Sequence, residues 1–259
     1  MAPSTYRKLQ DKHILAIGGS AGIGYAVAEA ALASGANVTI SSSSQAKVDT
    51  AVSALAADYP DRKIRGLVTD LSKPSVEADL DALFRAAQDA QGPIHHVVFT
   101  AADALTIGGL DTLSADKILQ VLHMRGVVHL LLAKVAVRYL PQTSASSIVY
   151  TGGSVAQKPD KGWSILAFVG GGIASLVKGL AVDLAPVRVN AVQPGYVDTT
   201  LWAPMGAEAQ ANFKKAVEAK IPTGKFAQPE DVAEAFLWLL KDANVTGTIA
   251  ASDGGQLLV

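Results

Sequence analysis

Short apolar runs alternate along the chain with longer stretches whose apolar positions recur every three or four residues. That alternation predicts a parallel sheet covered by helices on both faces, because each parallel strand pair needs a crossover and the crossover shields the sheet. Strands are predicted at residues 13–17, 37–40, 64–68, 96–99, 148–150, 188–192 and 248–251. Helical periodicity falls at 23–34, 45–58, 74–89, 115–139, 173–184 and 229–241. Pro74 and Pro229 suit first helical turns, where a missing N–H leaves no bond unmade. The longest stretch outside this rhythm, 199–222, would lie over the cleft at the carboxyl ends of the strands. No linker, repeat or low-complexity segment breaks the pattern. A single α/β domain over residues 1–259 is expected, a doubly wound parallel sheet of about seven strands.

Composition narrows the function classes. Hydrophobic residues make up 49% of the 259 and charged residues 17%, enough for a sizeable core and too apolar for disorder. A net charge of −1 offers no basic footprint, so nucleic acid is not an expected partner. The absence of cysteine excludes disulfides, thiolate metal sites and cysteine nucleophiles. His95, His96, His123 and His129 lack ligand spacing, and no metal is expected. Met1-Ala2-Pro3-Ser4-Thr5-Tyr6-Arg7-Lys8 lacks the apolar stretch of a signal peptide. The apolar segments 127–137 and 165–177 read as too short to span a bilayer. A soluble, cytoplasmic protein with no membrane partner is the expectation.

Gly18, Gly22 and Gly24 form Gly-X-X-X-Gly-X-Gly between Ile14-Leu15-Ala16-Ile17 and an alanine-rich helix. Such a turn lets the backbone approach a pyrophosphate while the helix N-terminus supplies amide donors. Far downstream stand Pro194-Gly195-Tyr196-Val197-Asp198-Thr199 and Asp253-Gly254-Gly255. Together these motifs resemble the short-chain dehydrogenase/reductase family, from about Lys12 to the C-terminus. The resemblance implies a Rossmann-type fold and a nicotinamide cofactor. It assigns cofactor contacts to Gly18, Ser20, Gly22, Ile23 and Gly24, to Asp70, to Thr100, Ala101 and Ala102, and to Pro194, Gly195, Val197 and Thr199. Thr199 would bond the carboxamide. Asp70 would meet the adenine, although it also reads as a cap for the next helix.

Cofactor choice turns on the end of the second strand, where an NAD-binding chain usually offers a carboxylate to the ribose. Here Ser41, Ser42, Ser43 and Ser44 occupy that place, followed by Lys47. Without the carboxylate a 2′-phosphate is not repelled, and hydroxyls with Lys47 can bind it. NADP(H) is expected over NAD(H). A serine-rich turn without a role is the plain alternative.

The same resemblance exposes a gap. The family's acid is a Tyr phenol in Tyr-X-X-X-Lys, with Ser and Asn in support. The stretch from Gly171 through Pro186 resembles the family's following helix without gaps. That alignment puts Leu166 at the Tyr position and Gly170 at the Lys position. The Ser position falls on Gly153, beside Ser154, and the Asn position on His123. A shifted register would put Phe168 at the Tyr position, but Phe has no proton to give. Gly170, Gly171 and Gly172 each cost a helix about 1 kcal/mol relative to Ala, and loss of the Tyr and Lys side chains opens volume beside the nicotinamide.

Hydride delivery to a ketone creates an alkoxide that an acid must protonate. An iminium carbon already carries positive charge, so hydride leaves a neutral amine. The useful group there is a carboxylate in a dry pocket. Within Lys158-Pro159-Asp160-Lys161-Gly162-Trp163, Asp160 can hold a cationic C=N group and Trp163 can pack on an aromatic ring. Arg125 can bind a carbonyl oxygen or orient Asp160, and Asp103 is a second candidate carboxylate. Plain readings stand beside these: an ordinary turn at Asp160, a core Trp163, a solvated Arg125 and a loop cap at Asp103.

Residues 159–164, the three glycines, the stretch from His95 to Asp103, and Arg125 resemble a divergent fungal branch of the family. That branch holds the bifunctional reductase/Diels–Alderases of malbrancheamide- and paraherquamide-type indole alkaloid biosynthesis. The resemblance implies NADPH-dependent reduction of an iminium derived from a prenylated indole dipeptide aldehyde, followed by intramolecular cycloaddition in the same cavity. It assigns Asp160, Arg125 and Trp163 to the substrate. It also implies a homo-oligomer, tetramer or dimer, built through the two long helices. Two other functions stay open: a carbonyl reductase with His123 or Tyr150 as substitute acid, and a nucleotide-binding protein without catalysis.

Overall fold

The first strand, β1 (His13–Ile17), is buried along its whole length, as an apolar run with neighbours on both sides must be. The computed structural model describes residues 4–259; Met1, Ala2 and Pro3, within the N-terminal stretch read above, lie outside it. Six further strands join β1: β2 (Asn37–Ser42), β3 (Ile64–Val68), β4 (Ile94–Phe99), β5 (Ser147–Thr151), β6 (Arg188–Pro194) and β7 (Ile249–Ser252). All pair in parallel, in the order β3-β2-β1-β4-β5-β6-β7. This is the expected doubly wound, Rossmann-type sheet. The chain reverses its direction of winding between β1 and β4, and open parallel sheets bind ligands at the carboxyl ends flanking such a point.

Helices cover both faces. On one, α1 (Gly22–Ala33), α2 (Gln45–Asp58) and α8 (Pro229–Lys241) enclose a core around Val27, Leu32, Leu55 and Phe236. On the other, α3 (Val76–Gln91), α5 (Val128–Ala136) and α6 (Ser164–Asp183) bury Leu80, Phe84, Leu132 and Val177. Pro229 opens α8 as expected, and the Asp231 carboxylate accepts from the Gln228 amide at 2.8 Å. Pro74 does not open α3. It sits in the preceding turn, and Ser75 is the residue before the helix.

Three differences from expectation bear on the site. The helix expected over 115–139 is divided: α4 (Ala115–Leu122) and α5 flank a π-turn at His123–Val127, where the Val128 amide bonds the His123 carbonyl. One extra residue is thereby accommodated, a feature common at functional sites. The helix expected to begin at residue 173 begins at Ser164, because burial of Ile165, Leu166, Val169 and Ile173 outweighs the three glycines. Residues 199–222 contain a missed helix, α7 (Ala207–Glu218), whose Phe213 and Val217 join Trp202 and Phe226 in a small core.

The two apolar segments are also longer than expected. The helical stretch Ala115–Ala136 runs 22 residues and Ser164–Asp183 runs 20, both apolar enough to cross a membrane by length and composition. Here both lie against the sheet and leave an apolar face uncovered, with Phe168 68% and Val182 77% exposed.

Candidate active site

A cavity of about 750 Å³ opens at the carboxyl ends of the strands, and every residue expected at the cofactor or the substrate lines it. At its floor the phosphate loop is drawn tight. Gly18 holds φ at 90° and its amide bonds the Ser41 carbonyl at 2.8 Å; a Cβ there would lie 2.5 Å from the Ala101 nitrogen. The Thr100 hydroxyl donates to the Gly18 carbonyl at 3.2 Å, tying the end of β4 to the loop. Ala21, before α1, provides no side-chain cap, so the first-turn amides beside Gly22, Ile23 and Gly24 face the cavity unclaimed. An uncapped helix N-terminus behind a glycine turn fits an anionic pyrophosphate.

The next part of the wall comes from the β2–α2 connection. Ser41 lies at the end of β2 with its hydroxyl buried and unpartnered, Ser42 and Ser43 follow, and Lys47 stands exposed at the rim. Ser44 caps α2 by accepting from the Lys47 amide. Asp70 accepts from the hydroxyl and amide of Ser72 at 2.7 and 3.0 Å, and these donors hold its carboxyl below the ordinary range. With Ser75 preceding α3, Asp70 is not that helix's cap. A 2′-phosphorylated adenosine fits hydroxyls and an ammonium better than a ribose seeking a carboxylate.

At the other end, α6 turns Leu166, Val169, Gly170 and Ile173 into the cavity, while the exposed Phe168 does not line it. The residues facing the site are therefore those aligned with the family's Tyr and Lys positions, and the register that would use Phe168 is not the one presented. A Cβ on Gly170 would meet the Ala156 Cβ at 3.3 Å, so α6 and the Ser154–Ala156 turn pack closely there. Pro194, Gly195 and Val197 frame the opposite wall. The Thr199 hydroxyl accepts from the Leu201 amide at 3.3 Å, leaving its own hydrogen free for an acceptor such as a carboxamide oxygen.

The candidate substrate residues are rearranged relative to expectation. Arg125, carried by the π-turn, does not orient Asp160. Its Nε donates to Asp103 Oδ1 at 3.0 Å and a terminal nitrogen donates to the Asp103 carbonyl at 2.8 Å. Only 17% of the Arg125 side chain and 16% of the Asp103 side chain are exposed, and Asp103 Oδ2 is buried without a partner. Neither residue is a solvated surface group or a simple loop cap. Asp160 accepts instead from the Tyr196 phenol at 2.8 Å. Trp163 packs with its ring 6.4 Å from that of Trp202, and the Trp202 indole donates to the Val197 carbonyl at 2.8 Å.

Tyr196 and Trp202 were not foreseen as site residues. Tyr196 stands inside the Pro194-Gly195-Tyr196-Val197 motif, which frames a cofactor with its backbone and so gives no sign of a role for the side chain. Trp202 lies in the stretch 199–222, expected over the cleft as a segment though with no residue beyond Thr199 singled out. Gln256 and Lys158 also line the cavity unforeseen.

Of the two substitute acids, Tyr150 is excluded by position. It is fully buried, does not line the cavity, donates to the His129 carbonyl at 2.9 Å, and burial pushes its phenol far above the ordinary range. His123 lines the cavity with Nε2 3.1 Å from the Leu71 carbonyl. His129 is buried against Tyr150 and Phe99, and burial, reinforced by Arg125, lowers its pKa to about 4.

Comparison with known proteins identifies the architecture. A family model described as an SDR-like Rossmann domain matches residues 6–259. The chain is 38% identical, over the full length of both, to a protein of Malbranchea aurantiaca described as short-chain dehydrogenase/reductase malC. It is also 38% identical to the short-chain dehydrogenase/reductase ATR9 of Stachybotrys chlorohalonatus, over 96% of this chain and 98% of that one. The solved structure of the MalC reductase/Diels–Alderase superposes with a TM-score of 0.92, covering 98% of this chain and 100% of that one. An NADP complex of a short-chain dehydrogenase from Burkholderia cenocepacia, 28% identical, superposes at 0.83 over 96% and 98% of the two chains.

Proposed function

The chain belongs to the short-chain dehydrogenase/reductase family, and from that premise we propose that it is an NADP(H)-dependent reductase of a cationic C=N substrate. We extend the proposal to a prenylated indole dipeptide-derived iminium, with Diels–Alder cyclisation guided in the same cavity. The extension rests on 38% identity to the reductase/Diels–Alderase MalC. One observation carries the reading: Asp160 stands in a cavity whose wall offers Leu166 and Gly170 where the family would offer phenol and ammonium.

When bound, the reduced nicotinamide supplies hydride. The chain's own residues bind and orient. Gly18, Ser20, Gly22, Ile23 and Gly24 would hold the pyrophosphate; Ser41, Ser42, Ser43 and Lys47 the 2′-phosphate; and Thr199 the carboxamide. Asp160 offsets the positive charge of the electrophile, and Trp163 with Trp202 supplies an aromatic wall. Arg125, fixed by Asp103, presents its remaining N–H groups to a carbonyl oxygen. The cycloaddition needs no titrating group, only a shaped cavity that holds the reacting ends together. A non-catalytic nucleotide-binding role would leave the Asp160 carboxylate and the Arg125–Asp103 pair in the cavity without a task.

We further propose self-association through the uncovered apolar face of the helices carrying Phe168, Val182 and Leu130, and a cytoplasmic location.

The test is to offer the purified protein NADPH and a prenylated tryptophan–proline dipeptide aldehyde, and to compare Asp160→Asn. Loss of turnover on the order of 100-fold is expected, by analogy with removal of one charge-stabilising group from an active site. Unchanged turnover in the variant, or efficient reduction of simple ketones by the parent protein, sinks the proposal.

A further inference from the structure

The hydrogen bond between Asp160 and Tyr196 joins two segments far apart in sequence, the turn before α6 and the second residue after β6. Asp160 belongs to an exposed turn, which by itself would let its carboxylate swing toward solvent. Tyr196 cannot swing. Its ring stacks on Phe226 at 6.1 Å and 26°, meets Phe213 edge-on at 5.2 Å, and lies 6.1 Å from Trp202. Those partners are themselves anchored, Trp202 by its bond to the Val197 carbonyl and Phe226 within the core that α7 closes. A rigid phenol thus grips one carboxylate oxygen and leaves the other for a ligand.

Tyr196 is also the wrong phenol to act as the family's acid. That acid needs a neighbouring cation to release its proton, whereas burial and the Asp160 carboxylate both push Tyr196 upward. It remains a neutral donor at working pH.

We propose that Tyr196 is the positioning residue that fixes Asp160 toward the cavity, so that cation recognition resides in the Tyr196–Asp160 pair and not in the carboxylate alone. The inference rests on the reading of Asp160 as the cation-binding group. Tyr196 itself transfers no proton, since a phenol that donates to an adjacent carboxylate merely holds that carboxylate's lone pair and geometry.

The test uses a cation that cannot be reduced, so that binding is read apart from turnover. N,N-dimethyl-tetrahydroisoquinolinium is titrated into the full-length protein saturated with NADP⁺, by calorimetry, for the parent, Tyr196→Phe, Asp160→Asn and the double variant. Tyr196→Phe keeps the ring and its aromatic neighbours, and its melting temperature should fall by no more than about 4 °C. Its affinity for the cation should fall about tenfold, the range for a lost charge-assisted hydrogen bond. Asp160→Asn should lose at least as much, and the double variant should be no weaker than Asp160→Asn.

That non-additivity is what a merely structural role would not produce. Additive losses, or unchanged affinity in Tyr196→Phe beside a weakened Asp160→Asn, overturn the positioning role and leave the proposed function standing. Unchanged affinity in Asp160→Asn overturns the proposed function, and the positioning role falls with it.

Discussion

Arg125→Met offers the sharpest check on how the cavity wall is held. Arg125 makes two bonds to one residue, 3.0 Å to Asp103 Oδ1 and 2.8 Å to its carbonyl, and about a sixth of each side chain is exposed. Met keeps the length and apolar stem of Arg and removes the guanidinium. What remains is a carboxylate whose Oδ2 already lacks a partner and whose Oδ1 loses its own. Removing one member of a fully buried pair costs about 3–5 kcal/mol, and the residual exposure lowers the expectation here to about 2–4. With an m-value of about 3 kcal/mol/M in urea, the unfolding midpoint should drop by about 1 M. Asp103→Leu combined with Arg125→Met removes both charges and should recover much of that loss, since an apolar replacement of a buried pair is often close to neutral. Urea titrations followed by far-UV circular dichroism decide it. A single variant within about 0.2 M of the parent, or a double variant less stable than the single, would refute the claim that each charge of the pair is held in place by the other.

Lys47→Glu should raise the KM for NADPH on the order of tenfold and leave that for NADH nearly unchanged, because only the 2′-phosphate would meet the reversed charge; equal effects on both cofactors would remove Lys47 from that role. Stability should fall as the pH drops below about 6.5. Buried His129 and His96 are held down to about 4 and about 3, so the unfolded chain binds more protons in that window. At pH 5 each contributes a loss of about 2 kcal/mol, and urea midpoints at pH 7 and pH 5 that coincide would contradict it. Gly172→Ala, at an exposed helical position with no atom within 4 Å of the added Cβ, should raise the melting temperature by about 2–4 °C. A fall instead would mean that a second copy covers this face closely.

Much of the fold was legible because parallel strands buried on both sides leave continuous apolar runs, as in Ile14-Leu15-Ala16-Ile17 and Val97-Val98-Phe99. The phosphate turn was legible for a different reason: glycine spacing is a backbone requirement, and Gly18 at φ 90° meets it. Less visible were features set by tertiary packing. The π-turn at His123–Val127 carries no mark in the apolar periodicity, which runs through it as through a continuous helix. The early start of α6 was hidden by Gly170, Gly171 and Gly172, whose helix cost is offset by burial of Leu166 and Val169. The partners of Arg125 and Asp160 were hidden because each pair closes across tens of residues of chain. Arg125 falls near the family's Asn position, from which it is expected to reach a carbonyl oxygen or Asp160, but the fold sends Arg125 to Asp103 and Asp160 to Tyr196.

That division of partners bears on the chemistry. Had Arg125 paired with Asp160, the guanidinium would have neutralised the carboxylate and the cavity would have offered little to a cation. Instead Asp103 engages Arg125 deep in the wall, and Asp160 meets a neutral phenol that fixes its geometry without cancelling its charge. A site built to protonate an alkoxide needs the opposite arrangement, a phenol beside an ammonium and away from carboxylates, so that the proton leaves readily. Here the phenol that lines the cavity is bonded to a carboxylate, and the one that could have substituted, Tyr150, is sealed beneath His129. Both departures favour an electrophile that arrives positively charged over one that must acquire a proton.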